Sequence, residues 1–210
     1  MDAAAADSAE TRDLLEHARQ GDGRACEELL ARHRPELCAF VEMRFDARLR
    51  ARLDASDVVQ EAQVEALRRL PDYLKRRPMP FRHWLRKTAY ERLLMLRRRH
   101  VGAARRTVAR EEALPDRSSL ALAQQLLAQG STPSQRLAQE ELARRVRDAL
   151  AQLSESDRDL LLMRNYEGLA YEEVANIMGI GPAAARKRHG RALIRLHRLL
   201  ADAAGEECRS

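Results

Sequence analysis

The sequence predicts an all-α chain: two small helical domains joined by a linker. Three observations carry this. Leu, Ala, Arg and Glu dominate, while aromatics make up only 4% and the 210 residues include just 9 glycines and 7 prolines, a composition that favours helix almost throughout. No segment alternates apolar and polar residues long enough to form a strand. Helix stop and start signals then gather into two blocks with a weaker stretch between them.

The first block spans residues 1–100, and its helical pattern begins near Thr11. Breaks are expected at Gly21 and Gly23, at Arg34 and Pro35, around Leu53 and Asp54, at Pro71, and at Pro78 and Pro80. Residues 101–131 read as a basic, partly helical linker, with Pro115, Ser118, Ser119 and the run QQLLAQG interrupting any pattern. The second block is 132–210. Thr132-Pro133-Ser134-Gln135 supplies a capping threonine, a first-turn proline and a capping-box glutamine for a helix running to about Gln152. Ser154 with Asp157 three residues later marks a second start, and Gly168 ends or interrupts that region. A third helix runs from Tyr171 to Met178 and stops at Gly179, suited to the left-handed cap; Pro182 opens the fourth.

Charge and cysteine usage narrow the function. Lys and Arg outnumber Asp and Glu 38 to 32, a net charge of +6, so a polyanion is a plausible partner. No apolar run reaches the eighteen or so residues of a membrane span. The acidic start MDAAAADSAETRD lacks the basic-then-apolar order of a secretory signal, so the cytoplasm is the expected location. Cys26, Cys38 and Cys208 are odd in number and form no Cys-x-x-Cys pair, which argues against a disulfide framework and a zinc site. The 6 histidines are scattered and no phosphate loop or nucleophile constellation is present, so neither enzyme activity, catalytic residues, metal nor cofactor is expected.

The segment YEEVANIMGIGPAAARKRHGRAL reads as helix, short turn, helix, the geometry of a DNA-reading pair. Val174 and Met178 can face a core, Ala175 allows close passage of the second helix, and Ile180 can plug the turn. On the second helix, about 100° per residue places Ala185, His189, Ala192, Leu193 and Leu196 on one side. Lys187 and Arg191 project opposite, with Arg186 and Arg188 flanking. Such cations donate to guanine O6/N7 and to phosphate oxygens.

Taken with the preceding LSESDRDLLLMRNYEGLA, this segment resembles region 4 of the extracytoplasmic-function class of bacterial sigma factors. The first block carries a second resemblance: DASDVVQEAQVEAL is similar to the clamp-binding helix of sigma region 2, usually Asp-x-Val-Gln-Glu, and FRHWLRKTAYERLLMLRRRH to the promoter-melting helix after it. The resemblance implies binding to core RNA polymerase through the β′ clamp and β flap, recognition of promoter DNA, and an anti-sigma factor as a further partner. It places Asp57, Val58, Gln60 and Glu61 at the polymerase. If Val59, Ala62, Ala66 and Leu70 face the core, Asp57 and Glu61 share the opposite face with Gln60 beside them.

For the −10 element it implies Arg82, Trp84, Arg86, Lys87, Tyr90, Arg97 and Arg98, beside a base-holding loop with the sequence KRRPMP at 75–80. Phe81, Leu85, Ala89 and Leu96 form the apolar stripe of that helix, and Trp84 at its margin is open to core packing or base contact. Cations interleaved with aromatics suit unstacked single-stranded DNA. For the −35 element it implies Ala183, Ala184, Arg186, Lys187, Arg188 and Arg191. The family often opens this helix with a Ser-x-Gly-Thr-Val type sequence; here it is Gly181-Pro182-Ala183-Ala184-Ala185, which offers methyl contacts but no hydrogen bonds. Base reading then falls to Arg186 and Lys187, and phosphate contact to Arg188 and Arg191. A stand-alone helix-turn-helix regulator and a helical adaptor are the competing readings; the Asp57–Glu61 helix speaks against the first, and a promoter preference would exclude the second.

Overall fold

The computed structural model describes residues 7–45, 47–50, 53–104 and 136–207, and no strand occurs among them. The chain divides into two compact units. In the first, α1 (Ala9–Arg19) is capped by Ser8, whose hydroxyl accepts from the Thr11 amide at 3.2 Å. Gly21 turns the chain at φ 92°, a conformation that glycine adopts without steric cost. Asp22 then caps α2 (Gly23–Met43), accepting from the Arg24 and Ala25 amides. A short α3 (Ala47–Arg50) precedes α4 (Ala55–Arg76), which ends at Arg77 in the left-handed region, φ 39°. The long α5 (Phe81–Ala104) follows.

Two expected breaks are absent. Helix α2 runs through Pro35 and α4 through Pro71. A proline inside a helix costs about 3 kcal/mol, and burial on both sides outweighs it. Leu29, Leu30, Leu37, Phe40 and Val41 bracket Pro35, while Ala66, Leu70 and Tyr73 bracket Pro71, and both prolines face outward. Near Pro35 the carbonyl of Leu30 also accepts from Gln63 Nε2 of α4 at 3.1 Å. Helices α2, α4 and α5 pack mutually around Phe40, Val59, Ala62, Phe81, Leu85, Ala89 and Leu93, with α1 against α2.

The second unit begins with α6 (Arg136–Gln152). The expected cap at Thr132 and the linker from 105 onward lie outside the described residues. Ser154 caps α7 (Glu155–Leu161), its hydroxyl accepting from the Asp157 amide at 3.2 Å. That helix widens into one π-helical turn, Leu162–Tyr166, which closes where the Glu167 amide reaches the Leu162 carbonyl. Gly168 (φ 69°) then redirects the chain. Helix α8 (Tyr171–Met178) ends at Gly179 (φ 67°), and α9 (Pro182–Glu207) starts at Pro182, both where the local chemistry predicts them. Ala185, Ala192 and Leu196 of α9 are buried, whereas Leu193, expected with them, is 40% exposed because it lies at the edge of that arc.

Candidate polymerase and nucleic-acid interfaces

Helix α4 presents Asp57, Gln60 and Glu61 to solvent, opposite the buried Val59, Ala62, Ala66 and Leu70. Asp57 is held in the first turn, its carboxylate accepting from the Asp54 amide at 3.4 Å. Glu61 is engaged by Arg92 of α5 at 2.6 Å. Val58 departs from its expected place at the polymerase: at 1% exposure it packs in the core beside Val59, because two neighbouring positions straddle the buried arc. The structure adds two residues that the sequence reading misses. Val64 and Leu67 are 50% and 43% exposed and continue the Asp57–Gln60–Glu61 row at helical spacing, the signal by which the sequence could reveal them.

On α5, Arg82, Trp84, Arg86 and Lys87 remain partly exposed and Arg98 is exposed. Tyr90 and Arg97, expected with them, are instead buried, at 2% and 4% exposure. The Arg97 guanidinium turns inward and donates to the Arg44 carbonyl at 2.5 Å, at the C-terminal end of α2, where the helix dipole favours a cation. Arg44 itself lies 3.8 Å from the centroid of the Phe40 ring and donates to the Phe40 carbonyl. Arg86 faces the same ring, 5.7 Å from its centroid, and Glu36 at 3.8 Å.

Trp84 packs in an aromatic cluster. Its ring centroid lies 4.6 Å from that of Tyr73 and 5.6 Å from that of Phe81, and the residue is half-buried. The loop ahead of α5 is fixed from both ends. Tyr73 donates its hydroxyl to the Met79 carbonyl at 2.9 Å, and Asp7 accepts from the Phe81 amide at 2.8 Å. Burial, with the nearby Asp7 charge, pushes the Tyr73 hydroxyl well above the usual phenol range, so it stays a donor. Beside the loop, an open hollow of about 760 Å³ is lined by Arg19, Lys75 and Arg77 together with Ala18, Pro71 and Leu74.

Helix α9 displays Ala183, Ala184, Arg186, Lys187 and Arg191 on its exposed arc. Polar contacts grip both flanks. On one, the Tyr171 hydroxyl and His189 Nδ1 are 3.0 Å apart, and His189 Nε2 is 2.8 Å from Asn165 Oδ1. This fits a neutral ring that accepts from the tyrosine and donates to the asparagine. The guanidinium of Arg186 lies 5.1 Å from the Tyr171 ring centroid, and that of Arg164 lies 4.3 Å from it. The other flank holds Arg188, whose Nε donates to Asp157 Oδ1 at 2.8 Å and whose Nη2 meets the Ser156 hydroxyl. Arg195 donates to the second Asp157 oxygen. Arg188, expected at phosphate, is thus turned to a carboxylate 31 residues earlier in the chain.

Burial, and secondarily the charge of Arg164, hold the His189 pKa below the ordinary imidazole range. The unfolded chain then takes up a proton that the folded chain refuses, so this contribution is complete above about pH 6.5 and is lost as pH falls below it. The melting temperature is expected to drop as pH falls from about 6.5 to 5.5, and less so in His189→Gln. An unchanged pH dependence in that variant would contradict the assignment.

Among known proteins, a family model for sigma-70 region 2 matches residues 29–102 and one for sigma-70 region 4 matches residues 143–196. The chain is 31% identical over 191 residues to the ECF RNA polymerase sigma factor ShbA of Streptomyces griseus, covering 89% of this chain and 93% of that one. It is 28% identical over 179 residues to the ECF RNA polymerase sigma-E factor of Haemophilus influenzae, covering 85% and 89%. Among solved structures, CnrH in complex with the cytosolic domain of CnrY aligns with TM-score 0.54 and 25% identity over 92% of this chain and 98% of that one. Two sigma-70 regions in order, on units that present an acidic face and a basic helix, with a relative matched nearly end to end, place this chain in the ECF class of RNA polymerase sigma factors.

Proposed function

We propose that this sigma factor acts in the cytoplasm, without enzymatic activity of its own, and divides its work along the chain. Residues 1–100 bind core polymerase and open the −10 element, 101–131 link, and 132–210 read the −35 element. Asp57, Gln60 and Glu61 meet the β′ clamp, with Val64 and Leu67 adding apolar contact. Arg82, Trp84, Arg86, Lys87 and Arg98 track the melted strand. The hollow lined by Arg19, Lys75 and Arg77 offers cations to phosphate, and its Ala18, Pro71 and Leu74 offer apolar contact to an unstacked base. The region 4 unit docks on the β flap. A regulatory protein partner of the anti-sigma kind belongs to this reading, supported by CnrH having been solved with the cytosolic domain of CnrY bound.

The observation that carries the reading is α9. Its buried arc, Ala185, Ala192 and Leu196, leaves Lys187 and Arg191 pointing outward from a helix that begins at a tight turn. The direct experiment is transcription in vitro with purified core polymerase on genomic DNA, with start sites mapped. A shared upstream sequence at those sites is expected; starts no different from core alone would count against a sigma role.

Division of labour on α9 is separately testable. Lys187→Ala or Arg186→Ala is expected to cost about 1–3 kcal/mol and relax preference at one −35 position. Arg191→Ala is expected to weaken all sequences alike and lower the salt slope by about one unit. Equal weakening across all sequences by the first two changes would move base reading elsewhere.

A further inference from the structure

Asp157 is a carboxylate with both oxygens committed to the recognition helix. It stands in the first turn of α7, where the Ser154 cap and the helix dipole already account for an acidic residue. An exposed carboxylate would satisfy that role. Asp157 instead is 2% exposed, and its two oxygens go to two different arginines of α9, Arg188 and Arg195. Burial by itself would raise its pKa; hydrogen bonds from Arg188 and Ser154 and the charges of Arg188 and Arg195 outweigh that and hold it below the ordinary range. The group is ionised wherever the protein is folded near neutral pH.

The spacing on α9 gives the pairing its meaning. Arg188, Arg191 and Arg195 stand at i, i+3 and i+7 and form one row along the helix. A bare row of three arginines would track any phosphate backbone, whatever its sequence. Asp157 takes the two outer members and leaves the middle one, Arg191, exposed. Two anchors seven residues apart also fix the rotation of the helix about its axis. With the Tyr171–His189–Asn165 contacts holding the opposite flank, that rotation sets where Arg186 and Lys187 point.

We propose that Asp157 is a positioning residue for promoter specificity: by holding Arg188 and Arg195 it keeps them from DNA phosphate and presents Arg186 and Lys187 to the bases. The proposal rests on α9 being the DNA-reading helix. Its effect is to raise discrimination while lowering general affinity for DNA.

The test uses the full chain, a duplex it selects from a random-sequence pool, and a scrambled duplex of the same length. Affinity is measured by anisotropy between about 50 and 200 mM salt. For Asp157→Asn, release of the arginines is expected to steepen the salt slope by about one to two units. Preference for the selected duplex over the scrambled one should fall by about tenfold. A merely structural residue would weaken both duplexes and would not steepen the slope. A folded Asp157→Asn chain with unchanged slope and preference overturns the proposal. Should that variant not fold, Arg195→Gln decides, since it leaves the Asp157–Arg188 pair in place. An unchanged slope is expected; a slope shallower by about one unit would mean that Arg195 binds phosphate, and overturns the proposal. If the wild-type chain selects no sequence, the reading of α9 fails and takes this proposal with it, whereas a selecting wild type with an unaltered Asp157→Asn removes Asp157 alone.

Discussion

A chain carrying Asp57→Arg and Glu61→Arg together is expected to lose core-polymerase binding while keeping its helix content. Both carboxylates are exposed one turn apart on α4, and the side of the helix that faces the core is untouched by either change. The Arg92 contact does not protect the face. Glu61 is 46% exposed in that pair, and such surface pairs contribute about 0–1 kcal/mol, so a basic partner can displace Arg92. The double reversal replaces two negative charges by two positive ones at the interface, and the guanidinium introduced in place of Glu61 also repels Arg92. Like charges juxtaposed at an interface cost several kcal/mol, so a loss of at least about 100-fold in affinity is expected. The cost to the fold is smaller: removing the Asp57 carboxylate from the first turn costs about 1 kcal/mol. Circular dichroism and a titration against core polymerase separate the two effects. Helical protein with near wild-type affinity would remove α4 from the interface.

Local chemistry was the legible part of the sequence. Gly21, Gly168 and Gly179 sit at positive φ, Ser154 caps at the expected Ser-x-x-Asp start, α8 begins and ends at the expected residues, and α9 begins at the expected one. Each of these signals acts within one turn of the residue that carries it. Pro35 and Pro71 failed as signals because their cost is local while the burial that outweighs it comes from other helices.

The same boundary runs through the candidate sites. Exposed arcs derive from helical geometry, which puts Asp57, Gln60 and Glu61 on one face and Lys187 and Arg191 on another, as the structure has them. Val58, Tyr90 and Arg97 are buried and Arg188 is ion-paired, because residue type suggests exposure while the space across from the residue decides it. An arginine near DNA-facing residues reads as a phosphate contact until a helix C-terminus, for Arg97, or a buried carboxylate, for Arg188, is found opposite. No periodicity could reveal either partner: Arg44 is 53 residues from Arg97, and Asp157 is 31 from Arg188.

Phe81→Ala is expected to give the largest loss of stability in the first unit. Phe81 is 0% exposed at the first position of α5, and its ring packs edge-on against His33 of α2 and Tyr73 of α4, with Trp84 one turn on. Three helices therefore meet on one side chain. Truncating a buried phenylalanine costs about 3–5 kcal/mol, because the transfer energy of the ring is lost and the surrounding side chains only partly collapse into the space. Against a typical total of about 5–15 kcal/mol, that brings the unit close to unfolding. The chain has a single tryptophan, and Trp84 sits 5.6 Å from the Phe81 ring, so its fluorescence reports this unit directly. At about 4–8 °C per kcal/mol for a domain of this size, its midpoint should fall by more than about 10 °C. Phe81→Leu, which keeps an apolar group in the site, should lose much less. The functional consequence comes from position: the Tyr73–Met79 and Asp7–Phe81 contacts that fix the loop before α5 depend on the same packing. Promoter opening by Phe81→Ala should therefore fail at temperatures where Phe81→Leu still supports it. A tryptophan midpoint within about 2 °C of wild type in Phe81→Ala would show that the aromatic cluster does not hold the three helices together.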